Sequence, residues 1–256
     1  MYSIPRKGFP LVIAHRGGAE LAPENSWESF ETCNDLGFNY VESDAHLTAD
    51  GKVVLIHDPV LERVSNGFGA VATHTWEELQ GVTVNGSKYG PVLLEDVLAS
   101  FPNMRLNLDA KEEAVWKPMI DVIRRQGATD RVLLASFNSS RLERIRAYAP
   151  EIQTSIGQAE AARLFGAVHL GIDRFVSRSN WPLRGIVAAQ VPLTAWRVPI
   201  VTKRFVYEAH RLGLAVHVWT LNEPGEIVRA LEAGADGIIS DNPVLAREII
   251  KARGRL

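Results

Sequence analysis

Leu11-Val-Ile-Ala14 runs directly into His15-Arg-Gly-Gly18. A short apolar run ending in a histidine, an arginine and two glycines reads as a β-strand whose end opens into a turn carrying chemistry. The pattern extends along the chain: short runs rich in β-branched residues alternate with segments of helical period. Strands are expected at Leu11–Ala14, Tyr40–Ala45, Arg105–Ala110, Arg131–Ala135, Gln153–Ile156, Arg174–Ser177, Leu214–Thr220 and Gly237–Ser240. Alternation of this kind is the α/β signature, and eight strands are what a closed parallel barrel needs. The fold class predicted is therefore a (β/α)8 TIM-type barrel.

The helices between the strands are marked by spacing and caps. Trp27, Phe30, Cys33 and Leu36 recur before Gly37, and Phe205, Val206, Ala209 and Leu212 before Gly213, each a helix face followed by a C-terminal glycine. Thr75-Trp-Glu-Glu78 has the capping-box spacing. Asn242-Pro243 places a cap residue before a first-turn proline. Asp50-Gly51, between Ala45–Thr48 and Lys52–His57, signals a hairpin rising from the second strand and returning His57 to the rim. Residues 58–90 read as a small insertion after that hairpin, and residues 178–200, with Trp181, Pro182, Pro192, Trp196 and Pro199, as a loop-rich stretch near the same face. No linker or internal repeat interrupts the chain, so residues 1–256 are expected to form one domain.

Composition narrows the function. With 256 residues, 46% hydrophobic and 23% charged, the chain has ordinary globular usage and enough length for a substantial core. A net charge of -2 argues against a broad nucleic-acid surface. Cys33 is the only cysteine, which leaves no intrachain disulfide and no cysteine-based metal site. No signal-peptide stretch opens the sequence, and no run of about 18 apolar residues offers an integral membrane segment. A cytoplasmic enzyme is expected. The sequence leaves its oligomeric state open.

Four clusters carry chemistry. His15 can exchange protons near neutral pH, and Arg16 beside it can clamp a phosphate bidentately, although a strand-end His-Arg alone is equally a bland turn. Glu42 and Asp44, two apart, share one strand face. Inside a barrel such a pair repels unless a hard divalent cation, Mg2+ or Ca2+, lies between them or Arg16 or Lys111 neutralises them. His57-Asp58 returns from the hairpin as a second acid/base candidate, or as a capping or core histidine. Asp109 and Lys111 share a face of the third strand; Asp109 can complete a three-carboxylate metal site across the barrel mouth, and Lys111 can neutralise phosphate oxygens, the alternative being a plain ion pair. Metal, acid, base and cationic clamp are the parts phosphodiester hydrolysis requires. His46, His74, His169, His210 and His217 read as structural or exposed.

With these residues goes a set of short motifs: Pro23-Glu-Asn-Ser26, Leu47-Thr-Ala-Asp-Gly51, Pro91-Val-Leu-Leu-Glu95, Ser136-Phe137, Val218-Trp-Thr-Leu-Asn222 and Ala233-Gly-Ala-Asp-Gly-Ile-Ile-Ser-Asp241. In order and spacing they resemble the glycerophosphodiester phosphodiesterase family along nearly the whole chain. The resemblance implies a small-molecule glycerophosphodiester substrate, cleaved to sn-glycerol 3-phosphate and an alcohol. It implies His15 and His57 as acid and base, Glu42, Asp44 and Asp109 as ligands of one divalent metal ion, and Arg16 and Lys111 on the phosphate. Trp219 would flank the substrate, unless it serves barrel packing; Phe137 is divided between the same pocket and the core, and Asn25 between the active centre and a loop-organising role. One departure stands out, since the third acid of the family is often glutamate in Glu-x-Lys and here is Asp109. Two rival readings are lysophospholipase D-type cleavage of a lipid phosphodiester and a noncatalytic barrel that binds a phosphorylated ligand.

Overall fold

The computed structural model describes residues 10–171, 185–195 and 197–254. Its strands, in chain order, are β1 (Leu11–Ala14), β2 (Tyr40–Leu47), β3 (Val53–Leu55), β4 (Val92–Leu93), β5 (Arg105–Ala110), β6 (Val132–Ala135), β7 (Gln153–Ser155), β8 (Ile186–Pro192), β9 (Thr194–Ala195), β10 (Val198–Pro199), β11 (Ala215–Trp219) and β12 (Gly237–Ser240). Eight of them pair in parallel in the order β1-β2-β5-β6-β7-β8-β11-β12, and β12 pairs back onto β1. The ring is a closed (β/α)8 barrel. Helices α1 (Trp27–Asp35), α3 (Leu94–Ser100), α4 (Trp116–Arg125), α5 (Ser139–Tyr148), α6 (Gln158–Leu170), α7 (Lys203–Arg211), α8 (Pro224–Ala233) and α9 (Pro243–Ala252) follow the strands, and a one-turn α2 (Trp76–Leu79) lies between β3 and β4.

The sixth barrel strand corrects the sequence reading. The expected Arg174–Ser177 lies outside the described residues, and the ring is completed by Ile186–Pro192, inside the stretch expected to be loop-rich. That strand, Ile186-Val-Ala-Ala-Gln-Val-Pro192, is an apolar and partly β-branched run, but the prolines and tryptophans around it (Trp181, Pro182, Pro192, Trp196 and Pro199) give the whole stretch the look of a loop.

Period two on the barrel strands separates core from chemistry. On β5, Leu106, Leu108 and Ala110 join an apolar cluster with Met119 and Ile120 of α4, while Asn107 and Asp109 point into the cleft. On β2, Val41 and Ala45 belong to the same cluster, while Glu42 and Asp44 face the cleft beside Asn107 and Asp109. A second cluster on the other side of the ring packs Val216, Val218 and Ile238 against Phe205 of α7. Helix starts follow the caps: Ser26 accepts from the Ser29 amide at 3.2 Å, Thr75 and Glu78 form a reciprocal capping box, and Asn242 accepts from the Leu245 amide at 2.9 Å.

The hairpin also forms as expected. β2 and β3 pair antiparallel, with Ala45 opposite Leu55 and Leu47 opposite Val53, around Gly51 at φ 78°. β3 then pairs with β4, so the barrel carries a three-strand extension at this point. Residues from the segment that follows, Leu61, Val64, Val71 and Leu79, bury a small apolar cluster of their own with Val54, Ile56 and Leu93. No described helix is long and apolar enough to cross a membrane.

One buried histidine inside the ring has a measurable consequence. His217 on β11 is 1% exposed, and its Nε2 has no hydrogen-bond partner. Its ring lies against Gly237 of the neighbouring strand, where a Cβ would stand 2.7 Å from Cδ2, so glycine is what makes room for it. Burial pushes its pKa down from 6.5 to about 4. Between those values the unfolded chain binds a proton that the folded chain does not, so stability falls as pH drops through this window. At 1.36 kcal/mol per pH unit the loss reaches about 3 kcal/mol. His217→Gln should show a correspondingly shallower fall in urea midpoint from pH 6.5 to 4; equal slopes for the two proteins would remove His217 as the cause.

Candidate active site

The C-terminal ends of the barrel strands surround a cleft of about 520 Å3. His15 and Arg16 enter it from a single helical turn after β1, Glu42 and Asp44 from β2, and His57 from just beyond β3. Asp109 stands on β5 with Lys111 just past it, and Trp219 ends β11. All eight expected site residues line this one cleft. Phe137, 57% exposed, joins them and meets Trp219 edge-on at 5.7 Å, so it belongs to the pocket rather than the core.

The turn after β1 is held open by unusual backbone. Arg16 (φ 50°) and Gly17 (φ 81°) are left-handed, and a Cβ on Gly17 would fall 2.2 Å from Ser29 Oγ of α1. This turn directs the Arg16 amide to Glu42 Oε2 at 3.1 Å, while its side chain reaches Glu24 Oε1 at 3.1 Å and lies 3.5 Å from Asp44 Oδ2. Asn25, also left-handed, donates to Asp44 Oδ2 at 3.2 Å and accepts from Ser43 Oγ at 2.7 Å, so it supports the site from behind.

Each histidine is fixed by a carboxylate. His15 Nδ1 lies 2.7 Å from Asp241 Oδ1. Asn222 donates to Asp241 Oδ2 at 2.6 Å and accepts from its amide at 2.9 Å, so the carboxylate is oriented in turn. Since the carboxylate accepts, Nδ1 carries the proton and Nε2 is left for the cleft, 3.8 Å from Glu42 Oε2. Burial lowers the His15 pKa, but the bond to Asp241 and the charges of Glu42 and Asp241 outweigh it and leave it raised. His57 Nδ1 is held in the same way, 2.6 Å from Asp58 Oδ1. Asp241, Asn222 and Asp58 had no role in the expected site, although Asp58 belongs to the His57-Asp58 motif and the other two fall in motifs at the ends of the last two barrel strands.

The carboxylates depart from expectation. Asp109 does not stand across the barrel mouth from Asp44. β2 and β5 are neighbours in the ring, and the two aspartates are register partners. Lys111 Nζ sits between them, 2.7 Å from Asp44 Oδ1 and 2.8 Å from Asp109 Oδ2. Among the described residues no group of three or more His, Cys, Asp or Glu side chains is gathered as a metal cage. Burial raises the Asp44 carboxyl, but Lys111 first, then His57 and Arg16, bring it below the usual range. Glu42 goes the other way, pushed up by burial and by the charge of Asp44. Asp109 is raised by burial.

Even so, the donor set fits a hard divalent cation. Asp109 Oδ1 is buried with no hydrogen-bond partner, and so is Oδ1 of Asn107, the register partner of Glu42. Together with Glu42, whose proton affinity is raised by burial and then by the charge of Asp44, these unpaired oxygens are donors of the kind that suit Mg2+ or Ca2+.

Among the described residues, the other half of the cleft carries no charged side chain. Between the ends of β6 and β11 it is lined by Phe137, Ile156, Ala161, Phe165, Ile200 and Trp219, among others. A side carrying Arg16, Lys111 and the carboxylates and an apolar side thus face one another across one opening.

Comparison with known proteins follows this geometry. The family model described as "Glycerophosphoryl diester phosphodiesterase family" matches residues 15–245. A Mycobacterium tuberculosis protein named "Probable glycerophosphodiester phosphodiesterase 2" is 34% identical over 97% of this chain and 94% of its own. A Mus musculus protein, lysophospholipase D GDPD3, is 28% identical over 94% of this chain and 82% of its own. The structure of an Oleispira antarctica phosphodiesterase in complex with the product sn-glycerol-3-phosphate superposes with a TM-score of 0.77 at 24% identity, covering 95% of this chain and 97% of that one.

Proposed function

The chain belongs to the glycerophosphoryl diester phosphodiesterase family, and from that premise we propose that it hydrolyses glycerophosphodiesters to sn-glycerol 3-phosphate and an alcohol by histidine acid/base catalysis. It is a phosphoric diester hydrolase. The observation that carries the finer reading is the pair His15 and His57. Each is anchored at Nδ1 by a carboxylate, and both line one cleft with the cations Arg16 and Lys111.

In this reading one histidine takes a proton from the attacking water through its free Nε2, and the oxygen of that water becomes part of the sn-glycerol 3-phosphate. The other gives a proton to the departing alcohol oxygen, so the alkoxide never has to form in the low-dielectric cleft. Arg16 and Lys111 hold the phosphate oxygens and neutralise the charge that builds on them. Trp219 and Phe137 flank the substrate. Glu42, Asp44 and Asp109 would hold one divalent ion, Mg2+ or Ca2+, which supplies Lewis-acid polarisation of a phosphate oxygen when bound.

The uncharged half of the cleft favours a second reading, lysophospholipase D-type cleavage, because an acyl chain needs such a wall. Product analysis with glycerophosphocholine and 1-acyl-lysophosphatidylcholine separates the two. The expected result is release of sn-glycerol 3-phosphate from the soluble diester with the higher kcat/KM. A higher kcat/KM on the lysolipid would move the assignment to the second reading, and no release from either substrate would overturn both.

A further inference from the structure

Arg63 stands outside the described lining of the cleft, yet it joins the two turns that carry the cleft's chemistry. Its Nε and Nη2 donate to the two oxygens of Asp58 at 2.5 and 3.0 Å. Its Nη1 and Nη2 donate to the two oxygens of Glu24 at 2.9 and 2.7 Å. Asp58 holds His57 at 2.6 Å, and Glu24 accepts from Arg16 at 3.1 Å. One guanidinium thereby closes an unbroken chain, His57–Asp58–Arg63–Glu24–Arg16, between a histidine beyond β3 and an arginine beyond β1.

The shape of the group matters. Five donors in a planar fork let arginine engage two carboxylates bidentately at once, which a lysine ammonium cannot do. The backbone beneath it is fixed, since Leu61 and Val64 on either side are buried and Asn85 donates to the Arg63 carbonyl at 3.2 Å. The Arg63 side chain itself is 47% exposed, and ion pairs this exposed add little to global stability. What the network fixes is orientation. Arg63 first, and then His57, hold the Asp58 carboxyl well below the usual carboxylate range, so it stays an acceptor for both.

We propose that Arg63 is a positioning residue that sets His57 through Asp58 and Arg16 through Glu24, an assignment that rests on reading these two as acid/base and phosphate-holding groups. It makes the segment after β3 part of the catalytic apparatus without any contact of its own with substrate.

The test is steady-state kinetics on glycerophosphocholine with full-length Arg63→Met, Arg63→Lys, Asp58→Ala and Glu24→Ala, alongside thermal unfolding. Arg63→Met should lower kcat and raise KM, with kcat/KM down about tenfold to a hundredfold, by analogy with losing the outer-shell partner that orients a metal-binding histidine. Asp58→Ala should act mainly on kcat and Glu24→Ala mainly on KM, and the Arg63→Met/Asp58→Ala double variant should have a kcat no lower than the worse single. Arg63→Lys should recover one parameter more than the other, with thermal midpoints close to wild type throughout. Wild-type kcat and KM in Arg63→Met would overturn the proposal, as would an activity loss that tracks loss of folded protein or a double variant whose effects simply add. His57→Ala and Arg16→Ala serve as controls. If both are silent, the reading of the site fails and the proposal with it; if they are severe while Arg63→Met is silent, only the proposal fails.

Discussion

Replacing His15 or His57 by alanine should lower kcat by about two to four orders of magnitude, the usual contribution of general acid–base catalysis. Both side chains are partly accessible at the barrel mouth, at 16% and 34%, and neither belongs to an apolar cluster, so the fold should survive. Their carboxylate partners sharpen the expectation. Asp241 and Asp58 place the Nδ1 proton, and the Nε2 proposed to move protons is what alanine removes. Imidazole added to His15→Ala or His57→Ala should restore part of the rate if the missing group moves a proton. Near wild-type turnover in either variant would show that its histidine is neither acid nor base.

The barrel was legible because its strands are short, apolar and regularly spaced, and the residues that line the cleft because period two is a local rule. Glu42 with Asp44, and Asp109 with Lys111, could be put on one strand face from spacing alone. What escaped depended on closure of the ring. Asp241 is 226 residues from His15 and reaches it only because β12 pairs with β1. Asp109 was expected across the mouth from Asp44, but β3 and β4 branch off the ring, so β5 lies directly beside β2. Arg63 sits in a segment without a strand or helix signal, and its importance appears only when Glu24, 39 positions away, is brought to it. The sixth strand was missed because of its surroundings, since the apolar run Ile186–Val191 is flanked by Trp181, Pro182, Pro192, Trp196 and Pro199, residues that punctuate loops.

Asp109 offers the sharpest test, because it is where the chain departs from the common Glu-x-Lys pattern. It shares the Lys111 ammonium with Asp44, and its other oxygen is buried without a partner. If that oxygen is a metal ligand, Asp109→Ala should weaken divalent-ion affinity by about two orders of magnitude, the upper end of what losing even an outer-shell partner costs. Activity should fall with it and return in part at high metal concentration. Asp109→Glu should keep much of both, since it restores the commoner acid with one more methylene of reach. Asp109→Asn keeps the shape but drops the charge and should fall between wild type and alanine. The rival role is electrostatic. Asp109 would then only hold Lys111 toward the phosphate, and its loss would leave the ammonium to Asp44 alone. Calorimetric titration of Mg2+ and Ca2+ into the apo proteins reads affinity without turnover and so separates the two. If Asp109→Ala binds metal as tightly as wild type while its KM rises, Asp109 is a holder of Lys111, and the coordination shell draws only on Glu42 and Asp44.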